Sequence, residues 1–190
     1  MRITAHPYRD FAALSYLYRR IAILGTRAAV IPRNTRCTSA RPVLDQLCRR
    51  VDLLGPSGTG SAMKLAINLP LAVYWEALGE ALSLVRDAGI PPEKMLEILA
   101  DSSGATNVLK NRAPKLAAAL KDRPKPEVGF DIDGRRKDLR AMLAVGSSMG
   151  LDLPVTAKTL DCYESAAQAG WGSRDASNLV VHRLEKPRKR

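Results

Sequence analysis

Residues 55–89, GPSGTGSAMKLAINLPLAVYWEALGEALSLVRDAG, set the architecture: a six-residue glycine-rich loop runs directly into a long apolar-periodic segment. From about Ser61 to Ala88 the apolar side chains recur at helical spacing. Gly89 stands where a C′ residue belongs, and Pro91-Pro92 opens the next helix. Pro70 inside the segment predicts a kink or an early break. The same punctuation continues outward. Helices are expected at 42–50, 92–100, 107–121, 134–147, 154–169 and 174–185, with Gly104, Pro124, Pro126, Gly150 and Gly170-Trp-Gly172 at the turns. Alternating β patterns are nearly absent, and Val128 to Ile132 is the one strand candidate. The expected fold class is therefore all-α, a helical bundle, with no internal repeat and no low-complexity segment.

Charge divides the chain more sharply than hydropathy does. The 190 residues carry 30 Lys+Arg against 19 Asp+Glu, a net charge of +11. Residues 1–50 hold +8 of this and residues 183–190 hold +4, while residues 51–182 come to −1. The body is balanced and the basicity sits at the ends. A nucleic-acid fold carries its basic patch on the face that docks phosphates, so solvated basic ends are expected rather than a nucleic-acid partner. The expected organisation is an irregular basic segment over 1–40, a helical domain over 41–182 and a basic tail over 183–190.

Other classes fall away quickly. Three cysteines (Cys37, Cys48 and Cys162) are odd in number and widely spaced, which argues against a disulfide framework or a zinc site. His6 and His182 lie near opposite ends, so histidine-based metal or triad chemistry is not expected, and no metal is assigned. The longest apolar stretch, Leu65 to Trp75, is broken by Asn68 and Pro70, and no membrane span is expected. Cytoplasmic localisation is the default. The Arg-rich, acid-poor start, with a short amphipathic stretch at Phe11–Tyr18, keeps an organellar transit peptide as the alternative. The run Ile21-Ala-Ile-Leu24 before Gly25 imitates the strand and first glycine of a dinucleotide site, but residues 25–30, GTRAAV, lack the later glycines.

The chemistry concentrates after the glycine loop. Gly60 is followed by Ser61-Ala62 rather than Lys-Ser/Thr, which excludes a Walker loop. Lys64 and Asn68 are one helical turn apart, so an ammonium and a carboxamide share a face. The small residues before them, Gly60 included, would let a substrate approach that face. Partial burial and nearby dipoles suit lysine to acid–base work. A helix-start lysine in water is the alternative at Lys64. A solvated charge run is the alternative at Lys137, within Gly134-Arg-Arg-Lys-Asp-Leu139.

Taken together, the Gly55–Asn68 motif and Phe130 seven residues before Lys137-Asp-Leu139 resemble the β-hydroxyacid dehydrogenase family, that of 3-hydroxyisobutyrate dehydrogenase. The resemblance covers roughly Arg41 to Leu179. It implies the all-helical second domain of that family, like the C-terminal domain of 6-phosphogluconate dehydrogenase. It implies Lys64 as the catalytic acid–base, Asn68 and Gly60 as substrate-binding residues, Phe130 as an apolar wall near substrate or nicotinamide, and Lys137 as a contact to NAD or NADP. Asp175 falls where the family often has an acid, and a capping role is expected for it. The family also implies a homo-oligomer.

The departures shape the functional expectation. Only about 54 residues precede Gly55, against roughly 150 for a doubly wound cofactor domain, so the chain is expected to lack that domain and to be inactive alone. The continuation Arg140-Ala-Met-Leu-Ala144 also departs from the family's leucine–alanine pattern. The expected function is NAD(P)-dependent hydride transfer to and from a small β-hydroxyacid or its semialdehyde. The alternative is a non-catalytic helical oligomerisation module. A third expectation, a polyanion binder using the two basic ends, would show as salt-sensitive retention lost on deleting both.

Overall fold

A computed structural model describes residues 22–23, 28–32, 41–48, 50–56, 58–121 and 128–185. The Phe11–Tyr18 stretch, most of the 1–40 segment, His6, Cys37, the Pro124/Pro126 turn and residues 186–190 of the basic tail lie outside the described residues. The chain divides into two compact units, Met1–Asn68 and Leu69–Arg190.

The first unit corrects the all-helical expectation. Strand β1, Ala22–Ile23, pairs antiparallel with β2, Ala28–Pro32, placing Ala22 opposite Val30. Strand β2 pairs in parallel with β3, Arg50–Gly55, placing Ala29 opposite Val51 and Ile31 opposite Leu53. Helix α1, Arg41–Leu47, connects β2 to β3. Parallel neighbours require such a crossover, so β2–α1–β3 is a βαβ unit. The reason these strands escape the sequence pattern is their length. Ala28–Ile31 is a four-residue apolar run without alternation, and Val51–Leu54 is an equally short run interrupted by Asp52, so periodicity alone cannot assign either. Arg50, expected to close the helix at 42–50, instead opens β3. The register shifts between Ile31 and Pro32, where proline has no N–H to give the ladder. Leu44, Cys48 and Val51 are buried.

Helix α2, Thr59–Leu84, gives its first ten residues to the first unit and the remainder to the second. It runs unbroken across Pro70, so the expected break does not occur. It ends at Leu84, before Gly89, and residues 85–88 form further turns.

The second unit is helical. It contains α3 (Pro92–Ala100), α4 (Asn107–Leu120), α5 (Ile132–Ser148), α6 (Pro154–Ala166) and α7 (Leu179–Glu185), with a π turn at Ala167–Trp171 and a 3₁₀ turn at Ala176–Asn178. The ends follow the chemistry of their residues. Pro92 and Pro154 occupy first-turn positions, where a missing N–H costs nothing. Thr106 Oγ1 accepts from Leu109 N, and Asp131 Oδ1 accepts from Gly134 N at 2.7 Å. At the far end of α5, Leu151 N donates to Gly146 O and Gly150 N to Ser147 O, a Schellman closure. Val128–Ile132 forms no strand. Asp131 makes a single bridge to Asp175, and Ile132 starts α5.

The core is built from one face of each helix. On α2 the buried residues Ala72, Trp75, Leu78 and Leu82 follow the helical period. Leu96, Leu109, Leu116, Leu139 and Leu179 are fully enclosed, each worth about 1.5–3 kcal/mol of burial. The Tyr163 hydroxyl, inside the bundle, reaches Ala72 O at 3.5 Å, and burial pushes its phenol well above the ordinary value. Neither Cys48 nor Cys162 forms a disulfide. Among the described residues no helix is long and apolar enough to cross a membrane.

Candidate functional site

The glycine loop and the first turns of α2 position the first group of candidate residues. Gly58 takes φ +101°, a conformation that a side chain strains, and it turns the chain into the helix. Thr59 closes the turn by donating Oγ1 to Pro56 O at 2.8 Å, and Ala62 N reaches back to Gly58 O. Gly60 is buried, while Lys64 and Asn68 are half-buried on successive turns of one face. Among the described residues Lys64 has no ion-pair partner. A half-buried ammonium beside a carboxamide can hold an oxygen and exchange a proton with it.

The second group belongs to the other unit. Phe130 precedes α5 and is 39% exposed. The Arg135 guanidinium lies 4.7 Å from its ring centroid. Lys137 is exposed on the second turn of α5. The basic run around it is not uniformly solvated, because the helix sorts it by phase. Arg135 falls on the face of Leu139, Met142 and Gly146 and is only 5% exposed. Its Nε and Nη1 have no hydrogen-bond partner, and the nearest carboxylate recorded, Asp138, is 3.9 Å away. Arg136 turns sideways and ties α5 to α6 through Glu164, with Nε to Oε2 at 3.0 Å. Arg140 joins the same carboxylate. Lys137, in contrast to Arg135 and Arg136, is exposed.

Asp175 is the cap of the 3₁₀ turn, accepting from Ser177 N at 3.1 Å and Ser177 Oγ at 2.7 Å on Oδ1. Its other oxygen accepts from Arg112 Nη1 at 2.8 Å and Gly129 N at 3.0 Å. Sequence reasoning found the cap but missed Arg112 and Arg135. Nothing in the spacing of a residue 63 positions away marks it as a partner.

These contacts set an acid limb on stability. Burial pushes the Asp175 carboxyl up, but hydrogen bonds from Ser177, Gly129 and Arg112 outweigh it and hold it below its ordinary 3.8. The hydrogen bond from Arg136 likewise holds Glu164 below 4.5. A depressed carboxyl stabilises the fold above its unfolded value, and that contribution is lost as pH falls through the folded one. The melting temperature is therefore expected to hold from neutrality to about pH 5 and to fall below about pH 4. Asp175→Asn should flatten that limb in a series of thermal melts across acid pH.

A cavity of about 560 Å³ lies in the second unit against Glu76, Glu80, Thr159 and Arg183. None of the candidate residues lines it. Among the described residues no group of three His, Cys, Asp or Glu side chains could hold a metal ion.

Comparison with known proteins places these residues in a family context. A family model described as NAD-binding of NADP-dependent 3-hydroxyisobutyrate dehydrogenase matches residues 58–182. An uncharacterized oxidoreductase of Shewanella frigidimarina is 31% identical over 150 residues, 79% of this chain and 50% of that protein. The 2-(hydroxymethyl)glutarate dehydrogenase of Eubacterium barkeri is 31% identical over 140 residues, 74% of this chain and 45% of that protein. A crystal structure of 3-hydroxyisobutyrate dehydrogenase from Salmonella typhimurium superposes with a TM-score of 0.71 at 25% identity, covering 81% of this chain and 52% of that one. The chain spans about half the length of the curated relatives it matches.

Proposed function

The chain belongs to the 3-hydroxyisobutyrate dehydrogenase family, matched over residues 58–182, and from that premise we propose that it supplies the lysine side of a site for hydride transfer between NAD or NADP and a small β-hydroxyacid or its semialdehyde. The observation that carries this is the Lys64–Asn68 pair, one turn apart on a single face directly after the glycine loop. Lys64 gives its proton to the carbonyl oxygen in reduction and takes it from the hydroxyl in oxidation. Asn68 donates to the substrate and holds it beside Lys64, and Gly60 leaves room for it.

The cofactor is a nicotinamide dinucleotide, which supplies or accepts the hydride when bound. The described residues fit such a group in part. Lys137 is an exposed cation suited to a phosphate, and Phe130 offers an exposed ring suited to an apolar wall. The βαβ unit β2–α1–β3 is the building block of dinucleotide-binding sheets. One such unit is far smaller than a doubly wound domain, and turnover is proposed to require the rest of one.

The test joins the chain to a complete nucleotide-binding domain of the family and follows NADPH or NADH consumption with a panel of small semialdehydes. Calorimetric titration of the chain alone with each cofactor runs beside it. Turnover in the joined enzyme, with cofactor affinity lowered by Lys137→Ala in the chain, is expected. A joined enzyme that oxidises no cofactor with any of them overturns the proposal.

A second reading is favoured by one observation. Leu84, Met149 and Val155 are 88%, 66% and 61% exposed, apolar side chains that a second copy of the chain would cover. A scattering mass of one chain would remove it.

A further inference from the structure

Phe130 is held at its backbone. Its carbonyl accepts from Ala176 N at 2.8 Å, and the amide just before it, Gly129 N, donates to Asp175 Oδ2 at 3.0 Å. Next along the chain, Ile132 N donates to Arg174 O and Asp133 N to Gly172 O, both at 2.9 Å. The segment 129–133 is thus laced to the segment 172–176, and α4 joins through Arg112. The two glycines flanking the ring make room. A Cβ on Gly129 would come within 2.7 Å of Arg112 Nη2, and one on Gly134 within 2.9 Å of Phe130 Cζ. Arg135 covers the ring from within, and the ring still keeps its exposed side.

One carboxylate closes this lattice. Asp175 is 6% exposed and accepts four hydrogen bonds, two on each oxygen, from donors on three separate segments. We infer that Asp175 is a positioning residue, hanging the Gly129–Phe130 backbone and the start of α5 so that Phe130 and Lys137 are presented to the cofactor in one fixed geometry. The inference rests on the proposal that those two residues meet the dinucleotide. Asp175 touches neither substrate nor cofactor and acts only through the backbone it holds.

The chemistry supplies a selective variant. Asp175→Asn has the same shape but only one acceptor oxygen. If that oxygen serves Ser177, the amide group faces Arg112 and Gly129 N, which are donors. If it turns to them, the amide faces Ser177 N. An isostere therefore breaks one side whichever way it lies.

The test titrates NADPH into the chain joined to a complete nucleotide-binding domain of the family, well below its melting temperature, for the wild type, Asp175→Asn, Arg112→Met, the double variant and Lys137→Ala. Amide hydrogen exchange is measured on each. The dissociation constant is expected to rise about tenfold in Asp175→Asn and in Arg112→Met, with no further rise in the double variant, since both act through one network. Exchange should quicken at Gly129 while Leu139 and Leu116 stay protected. A purely structural role would lower the melting temperature and leave the affinity of the folded chain unchanged. Affinity within twofold of wild type in Asp175→Asn, with wild-type binding intact, overturns the inference alone. NADPH affinity left unchanged by Lys137→Ala overturns the cofactor assignment of Lys137, and the inference with it.

Discussion

Lys64→Ala is expected to lower kcat by about 10²–10⁴-fold in the enzyme joined to a complete nucleotide-binding domain, the usual contribution of a positioned general acid. Hydride arriving at a carbonyl carbon leaves negative charge on the oxygen, and the proton that quenches it must come from a group already in place. The alanine variant leaves that oxygen to water. Lys64→Arg should do little better, because a guanidinium keeps its charge above pH 12 and is a poor proton donor near neutrality. The fold should be indifferent to either change. Lys64 is half-buried on an exposed run of α2, and alanine is the better helix former by a few tenths of a kcal/mol. Initial rates of NADPH consumption, with circular dichroism as the control on folding, measure both. Turnover within twofold of wild type would sink the assignment.

The largest effect on stability is expected from Arg183. Its Nη1 donates to Glu76 Oε1 at 2.6 Å and its Nη2 to Glu80 Oε1 at 2.9 Å. The two bonds are unequal in consequence. The side chain of Glu80 is 60% exposed, and water replaces a lost partner there at little cost. Glu76 is 7% exposed and its second oxygen is already without a hydrogen bond. Arg183→Met strands a buried carboxylate and is expected to cost about 3–5 kcal/mol. In a unit of this size that lowers the melting temperature by about 10 °C. Pairing it with Glu76→Gln should recover part of the loss, because the stranded charge is then gone. A thermal melt of the two variants decides it, and a drop under about 2 °C for Arg183→Met would mean the pair contributes nothing.

The helices were legible wherever local chemistry marks their ends. Pro92 and Pro154 announce starts, whereas the start expected at Gly134 overlooked the Asp131 cap and fell two residues late. The sheet was not legible, because Ala28–Ile31 and Val51–Leu54 are too short for their period to be read, and because the arginines around the first of them dominate the segment. At the candidate site, i,i+4 spacing alone puts Lys64 and Asn68 on one face, but their roles could be read only from the family resemblance. The surroundings of Phe130 could not be read. They depend on Arg112 and Asp175, 63 positions apart, and on the phase of α5, which buries Arg135 in a run that reads as solvent-facing. Long-range pairing leaves no local trace, and charge hides burial when the helix phase is uncertain by a residue or two.

The Arg183–Glu76 bond also says something about the order of events as the chain folds. It joins residues 107 apart, whereas the Arg136–Glu164 tie between α5 and α6 closes a span of 28. Loop-closure entropy grows slowly with length, and the longer span costs about 1 kcal/mol more to close. Helices α5 and α6 therefore have time to associate while α7 is still searching for α2. When α7 does arrive it buries Leu179, Val180 and Val181 and lays the Val180 backbone against Gly79 of α2, so the closing contact is sealed by packing as well as by the guanidinium.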